Sequence, residues 1–206
     1  MEKESNWESL LESTSGDVRR LSYADRFTTI PVTLRENVAE HSYWVSLYAV
    51  MIHRFLGGSP DLLGAISVHA LTHDLAECIT GDVVRTFKYS TPELKASIDR
   101  AEDIMVEQLP ADVKSLYPLW EQMAGEKKPY IKAVIKAADF LSLFQYMNRE
   151  VLRGNLEIDQ FITRLKNDLR MMAKLSRKDA NPDAHEFAGL YDAMSIRVGN
   201  VGKFTT

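Results

Sequence analysis

Cysteine is nearly absent: Cys78 stands alone among 206 residues. An intrachain disulfide is therefore excluded, and the sequence predicts a reducing, cytoplasmic setting. The opening MEKESNWESLLEST is polar and acidic, unlike a secretory signal. No apolar run approaches the ~20 residues that a membrane-spanning helix needs, so no membrane partner is expected. Positive charge is not in excess either. A formal net charge of -4 argues against a nucleic-acid partner, yet a small anionic substrate could still meet a locally cationic site. Repeats and low-complexity tracts are missing, as is the period-two alternation of a β-sheet.

What the chain does have is one helix-length apolar segment after another. Hydrophobic residues make up 45% and charged residues 26%, an ordinary globular composition in a length suited to one domain. SNWESLLES offers a Ser5–Glu8 capping box and a short first helix. GDVRRLSYADRF reads as a second. Asn37, with Glu40 in the capping-box position, opens a long helix whose apolar face runs Val38, Val45, Tyr48, Ile52, Phe55; Gly57-Gly58 closes it. Pro60 starts a helix that is apolar nearly all round to Leu75, the mark of a central element. Gly81 to Ser90 reads as a loop. Helices follow from Thr91-Pro92 to about Gln108, from Pro110 to near Gly125, and from Pro129 to Gly154. An amphipathic helix LEIDQFITRLKNDLRMMAKLS and a last one after Pro182 complete the chain. The prediction is an all-α single domain over residues 1–198, with a frayed tail over 199–206.

Within this apolar frame, ALTHDLAECITGD places His73, Asp74, Glu77 and Asp82 close together. Uncompensated buried charge costs several kcal/mol, so these groups need a partner. Two other helices carry the same anomaly. His41 lies one turn after Val38 and one turn before Val45, and Asp139 sits inside VIKAADFLSLF, one turn after Ile135. Singly, each has a bland explanation: a core-facing His satisfied by hydrogen bonds, or an Asp paired with an Arg. Together, two imidazoles and two carboxylates are a fit set of ligands for a divalent ion.

The stretches ENVAEHS, THDLAECITGD and KAADFLS give the ordered pattern H…HD…D. In this the chain resembles the HD-domain metal-dependent phosphohydrolases, closest to their 5'-deoxynucleotidase branch and the related phage dNTP triphosphohydrolases. The resemblance runs from about Arg26 to Glu150. It implies a helical HD-domain fold and one divalent metal ion per chain (Zn, Mn, Co or Fe), held by His41, His73, Asp74 and Asp139. It implies Glu77 as the acid that orients or deprotonates a water, and Asp82 as a general acid or sugar contact. Arg26 matches a phosphate-gripping arginine, suited by its bidentate fork, and Lys88 a lysine of similar duty. Phe27 stands where the family often has Trp beside the sugar, and Val84 and Thr86 stand in a loop that is often proline-rich.

The remaining features have ordinary readings. His69 precedes His73 by four residues, but Ala70 takes the place of the catalytic Glu of an H-E-x-x-H zinc site, so His69 is expected to be a packing neighbour. His53 and His185 are expected at the surface, Cys78 carries no mark of an activated thiolate, and Met171-Met172 reads as helix packing. The expected activity is hydrolysis of deoxynucleotides, dNMP to deoxynucleoside plus phosphate. The alternatives are a dNTP triphosphohydrolase releasing triphosphate, or a non-catalytic nucleotide-binding helical protein. A homodimer or higher homo-oligomer is expected, with the apolar positions of LEIDQFITRLKNDLRMMAKL as a contact face.

Overall fold

Asn37 fixes the start of the first long helix. Its side chain accepts the Glu40 backbone N–H at 3.0 Å, and the Glu40 carboxylate accepts the Asn37 N–H at 3.3 Å. A computed structural model of the chain describes residues 7–14, 17–179 and 182–200. Among them the helices are α1 (Trp7–Thr14), α2 (Val38–Phe55), α3 (Leu63–Thr72), α4 (Glu77–Thr80), α5 (Arg85–Lys88), α6 (Pro92–Glu107), α7 (Ala111–Lys114), α8 (Leu116–Ala124), α9 (Lys128–Leu152), α10 (Asp159–Lys178), α11 (Pro182–His185) and α12 (Phe187–Arg197). No strand occurs among the described residues; an isolated antiparallel bridge joins Asp25 to Asn37. The all-α reading therefore holds. Ser5, half of the expected first capping box, and residues 201–206 of the expected tail lie outside the described residues.

The core gathers around α9. Helix α2 packs on α3 and α9, α3 on α8, and α10 on α12. Ala49, Ala65, Ala70, Ala137 and Ala138 are fully buried at these crossings, where small side chains let backbones approach. Ile66, Ile131, Val134, Phe140, Leu169 and Tyr191 fill the space between them. Val198 belongs to the same core, so the last turn of the chain's C-terminal helix is anchored.

Several elements differ from the sequence expectation. The segment expected as a second helix is a 3-10 turn, Asp17–Tyr23, followed by irregular chain. Helix gives way because residues 24–26 pair with 36–38: the Arg26 N–H reaches the Glu36 carbonyl at 2.8 Å and the Val38 N–H reaches Ala24 at 3.0 Å. The expected loop after Gly81 contains the one-turn helix α5. The helix expected from Pro110 breaks between Lys114 and Leu116. Pro118 explains the break, since its ring clashes with a helical carbonyl four residues earlier. Phe55 is 89% exposed rather than in the core, and Leu56 packs inward in its place. The apolar positions of α10 (Ile162, Leu165, Leu169, Ala173) are buried inside the subunit, largely against α12, and do not form an outer contact face.

His53 is a further correction: it is wholly buried, not at the surface. Its ring nitrogens lie 2.8 Å from the Tyr130 hydroxyl and 2.8 Å from the Ser59 carbonyl. The carbonyl can only accept, so Nε2 carries a proton and Nδ1 is free to accept from Tyr130. Gly58 lets the chain fold over this ring, because a Cβ there would lie 2.0 Å from His53 Cε1.

Glu150, near the end of α9, is wholly buried and holds the irregular arm that precedes α2. Its carboxylate accepts from the Thr33 N–H (2.7 Å), the Thr33 hydroxyl (2.9 Å), the Leu34 N–H (3.0 Å) and the Asn155 amide (2.7 Å). Tyr146 adds a bond from its hydroxyl to the Leu34 carbonyl. Burial works against the Glu150 charge, but these donors outweigh it and hold the carboxyl below the usual glutamate range. A depressed folded pKa means that the stabilisation is present above the ordinary glutamate pKa and is lost as pH falls through the folded value. Glu150→Gln should therefore cost about 1.5–3 kcal/mol at neutral pH. In urea unfolding from pH 7 to pH 3, its deficit against the parent chain should shrink on acidification; equal midpoints at pH 7 would refute this account of the clamp.

Candidate active site

Three elements bring the expected ligands together. Helix α2 supplies His41, the turn after α3 supplies His73 and Asp74, and α9 supplies Asp139. His41 Nε2 lies 3.5 Å from Asp74 Oδ2 and 3.5 Å from Asp139 Oδ1, and the two imidazole centroids are 5.5 Å apart. Ligand atoms of His41, His73 and Asp74 all fall within 4.8 Å of one another, so these three could hold a metal ion. Asp139 adjoins them through Oδ1, while its Oδ2 accepts from Lys136 Nζ at 2.9 Å.

The chemistry of the donors fits a cation. His73 Nδ1 lies 2.7 Å from the Ala70 carbonyl. A carbonyl only accepts, so the proton sits on Nδ1, and in the neutral ring Nε2 presents a lone pair. That Nε2 is buried, 3.1 Å from Asp74 Oδ2, and has no hydrogen-bond partner. A lone pair aimed at a carboxylate is repulsive, so a positive charge belongs between them: a proton, since Asp74 raises the His73 pKa against the effect of burial, or a metal ion that takes the proton's place. His41 is similar: Nδ1 is 3.2 Å from Ser142 Oγ, and burial, then the Arg26 charge, pushes its pKa down to about 3. It is therefore in the neutral, ligating form at neutral pH. Burial opposes the charges of Asp74 and Asp139, but their cationic neighbours, His73 first for Asp74 and Lys136 first for Asp139, hold both well below the usual carboxylate range.

Two more acids behave in the opposite sense. Burial, then the charges of Asp74 and Asp82, pushes Glu77 up to about 9. Burial also raises Asp82, against the pull of Arg26, and its carboxylate accepts from the Phe27 backbone N–H. Glu77 can therefore hold a proton near neutral pH, and Asp82 is shifted in the same direction.

Arg26 sits among these acids with its Nη1 2.6 Å from Glu36 Oε1. Its guanidinium lies 4.8 Å from the centroid of the Phe27 ring. Phe27 has φ +60, unique among the described non-glycine residues, a left-handed conformation that a bulky side chain adopts at a cost of about 1–3 kcal/mol. The ring gains a stack on Tyr146, centroids 4.4 Å apart at 17°. Arg26, Phe27, Asp82 and Asp139 line one cavity of about 420 Å³, together with Arg85 and residues of α10. Lys88 does not line it: its ammonium is bonded to both oxygens of Glu102, at 2.6 and 2.8 Å.

His69 stacks on Trp120 at 4.0 Å, with burial pushing its pKa down to about 4, as a packing neighbour would. His185 is exposed, Cys78 is buried, and Met171 is half exposed on the cavity wall rather than packed. Sequence reasoning missed Glu36, Lys136, Ser142 and Tyr146. Lys136 alone carried a signal, its i,i+3 spacing to Asp139.

A family model described as "5'-deoxynucleotidase YfbR-like" matches residues 15–181. The chain belongs to this family. Its members are HD-domain phosphohydrolases, metal-dependent hydrolases, and this chain is accordingly an enzyme of that class. Similar members include the 5'-deoxynucleotidase YPTB2590 of Yersinia pseudotuberculosis serotype I, 29% identical over 160 residues (73% of this chain, 79% of the relative). The 5'-deoxynucleotidase of Shewanella oneidensis is 28% identical over 159 residues (71% and 78%). The fold is shared with a Listeria innocua HD-domain phosphohydrolase, lin2634, at TM-score 0.62 and 21% identity (93% of this chain, 99% of that one). It is also shared with the cyanophage S-2L HD phosphohydrolase DatZ, bound to dA and one catalytic Zn2+ ion, at TM-score 0.55 and 20% identity (96% and 99%). No described helix of this deoxynucleotidase-family chain is long and apolar enough to cross a membrane.

The unpartnered His73 Nε2 gives a direct test. Zinc or manganese should raise the melting temperature of the protein, by an amount set by concentration over Kd; about 2.7 kcal/mol is gained at a hundredfold excess over Kd. His73→Ala should remove the metal-induced rise. A variant that melts with the same metal-dependent shift would exclude His73 from the site.

Proposed function

We propose that the protein is a cytoplasmic 5'-deoxynucleotidase that hydrolyses deoxynucleoside monophosphates to deoxynucleoside and phosphate. One divalent ion per chain, zinc, manganese, cobalt or iron, is held by His41, His73, Asp74 and Asp139. The observation that carries the reading is the buried, unpartnered Nε2 of His73, facing Asp74 beside the cavity. Family membership supports it, as do relatives named 5'-deoxynucleotidase and a structural neighbour bound to dA with a catalytic zinc ion.

When bound, the ion supplies Lewis acidity toward a phosphate oxygen and lowers the pKa of water. The chain's own residues do the rest. Arg26 binds the phosphate and balances charge as it shifts during reaction. Glu36 holds that guanidinium by one nitrogen and leaves its other donors for substrate. With an ion bound beside Asp74, the like charge that helps keep Glu77 protonated is offset, and the ionised Glu77 would then orient the attacking water and take its proton; Asp82, held at the Phe27 amide, would give a proton to the leaving oxygen. Phe27 lies beside the sugar and disfavours a 2'-hydroxyl. Lys88, expected to share the phosphate, reaches it only by giving up Glu102, so Arg26 carries the larger share.

We assign residues 1–198 to one domain, a reading supported among the described residues by the apolar core that runs from α2 to Val198. We place self-association on α2 rather than α10: Tyr43, Leu47, Met51 and Phe55 form an exposed apolar stripe at four-residue spacing. A monomeric mass in light scattering, at micromolar concentration, would remove this part of the reading.

Product analysis decides the activity. Inorganic phosphate should appear from dNMPs in preference to the matched ribonucleotides. Triphosphate released from dNTPs in its place would assign the protein to the triphosphohydrolase alternative. Asp139→Ala should lose metal and turnover together. Glu77→Ala should keep metal and substrate binding but lose ~100- to 10,000-fold in kcat. An unchanged kcat would leave Glu77 a merely structural role.

A further inference from the structure

The wall that α10 contributes to the cavity carries a charge that phosphate chemistry does not call for. Phe161, Arg164, Leu165, Asp168 and Met171 all line the cavity, and their spacing of three and four sets them on one face of α10. Asp168 is the odd member. A carboxylate in a cavity that receives an anionic phosphate repels the substrate, unless it meets hydrogen-bond donors elsewhere on the same molecule. Its ion partner is Arg85 of α5, whose Nε lies 3.8 Å from Asp168 Oδ2. That separation is too long for a hydrogen bond. Among the described residues no hydrogen bond reaches the Asp168 carboxylate, so its acceptor positions are open. The Arg85 guanidinium is placed by two rings, 5.2 Å from the Tyr89 centroid and 5.4 Å from that of Phe140.

We infer that Asp168 reads the base of the substrate and that its preferred base is guanine. The inference rests on the reading above. With phosphate beside Arg26 and sugar beside Phe27, and with Asp82 and Asp139 already given roles at the phosphate end, Asp168 on the α10 wall is the lining carboxylate left for the base. Phe161, Leu165 and Met171 supply apolar surface for its faces. Guanine presents two adjacent donors, N1–H and the 2-amino group, which match the two oxygens of one carboxylate. Its neighbouring O6 is an acceptor that suits Arg85. Adenine and cytosine place a ring acceptor beside their amino group, so one carboxylate oxygen faces a lone pair. Thymine places its single N–H between two carbonyls, which the carboxylate repels. The Asp168 side chain is partly buried, so a base that leaves its oxygens unpaired forfeits the contact and part of the cost of drying the carboxylate.

The test compares kcat/KM of the full-length, metal-loaded protein for the 5'-monophosphates of deoxyguanosine, deoxyinosine, deoxyadenosine, deoxycytidine and thymidine. Deoxyinosine lacks only the 2-amino group. A bidentate contact predicts a preference for the deoxyguanosine compound of about ten- to a hundredfold over the thymidine compound. Asp168→Asn should collapse that preference to within about threefold, lowering kcat/KM for the deoxyguanosine compound and raising it for the thymidine compound, whose carbonyls no longer face a carboxylate. A second readout needs neither metal nor turnover: calorimetric binding of the nucleosides should favour deoxyguanosine over deoxyinosine in the parent chain and not in Asp168→Asn. Equal kcat/KM for all bases, or an Asp168→Asn effect of the same size on every base, would overturn the inference and leave Asp168 as a counter-ion for Arg85. Absence of hydrolysis of every monophosphate would instead strike the proposed function, and the nucleoside binding would still judge Asp168.

Discussion

The charge balance around one buried guanidinium sets the terms for the rest of the molecule. Burial alone would weaken the charge of Arg26, yet Glu36, Asp139, Asp74 and Asp82 together hold it firmly protonated. A single arginine cannot neutralise that many carboxylates, and Glu77 adds another. The structure meets the excess in three ways. Lys136 pairs with Asp139, Glu77 and Asp82 are driven toward their neutral forms, and the lone pairs of two imidazoles are turned inward where a cation would sit. The same arrangement separates roles among residues of one chemical type. Asp74 and Asp139 stay ionised because cations lie against them, while burial and like charge shift Glu77 and Asp82 toward the protonated form.

That balance works only if Arg26 is held in place, although it lies in irregular chain. The arm uses three kinds of restraint. Backbone pairing of residues 24–26 with 36–38 sets its direction. The stack of Phe27 on Tyr146 compensates an unfavourable φ. The buried carboxylate of Glu150 gathers the Thr33 and Leu34 amides, which no helix or sheet satisfies. Sequence, local backbone strain and a long-range clamp thus converge on the position of one phosphate-binding group.

Much of this was legible in the sequence, and the reasons are local. Asn37 with Glu40, and Thr91 before Pro92, are caps whose chemistry acts within one turn, and both helices begin where those residues place them. The polar residues His41, His73, Asp74 and Asp139 stood out because each interrupts an apolar helical face. What could not be read depends on distant partners. The burial of His53 follows from Tyr130 and from the absence of a side chain at Gly58. The capture of Lys88 by Glu102 requires α6 to lie beside α5. The inward face of α10 was apolar by pattern, but pattern alone does not say whether α12 or a second subunit covers it. Pro118 is visible in the sequence, and its ring and missing N–H are enough to break the turn before it.

Helix α9 also acts as a ruler. Asp139 and Glu150 are eleven residues apart on one uninterrupted helix, a rise of about 16 Å and close to three full turns. They therefore point to the same side of the rod. One end meets the metal ligands and the other grips the arm that delivers Arg26, so the spacing between phosphate-binding and metal-binding groups is built into the helical repeat. Inserting or deleting a single residue between them would swing one end by about 100° against the other. No side-chain adjustment could restore both. Length variation in this enzyme belongs in its loops, and the stretch from Asp139 to Glu150 tolerates exchange of residues far better than a change in their number.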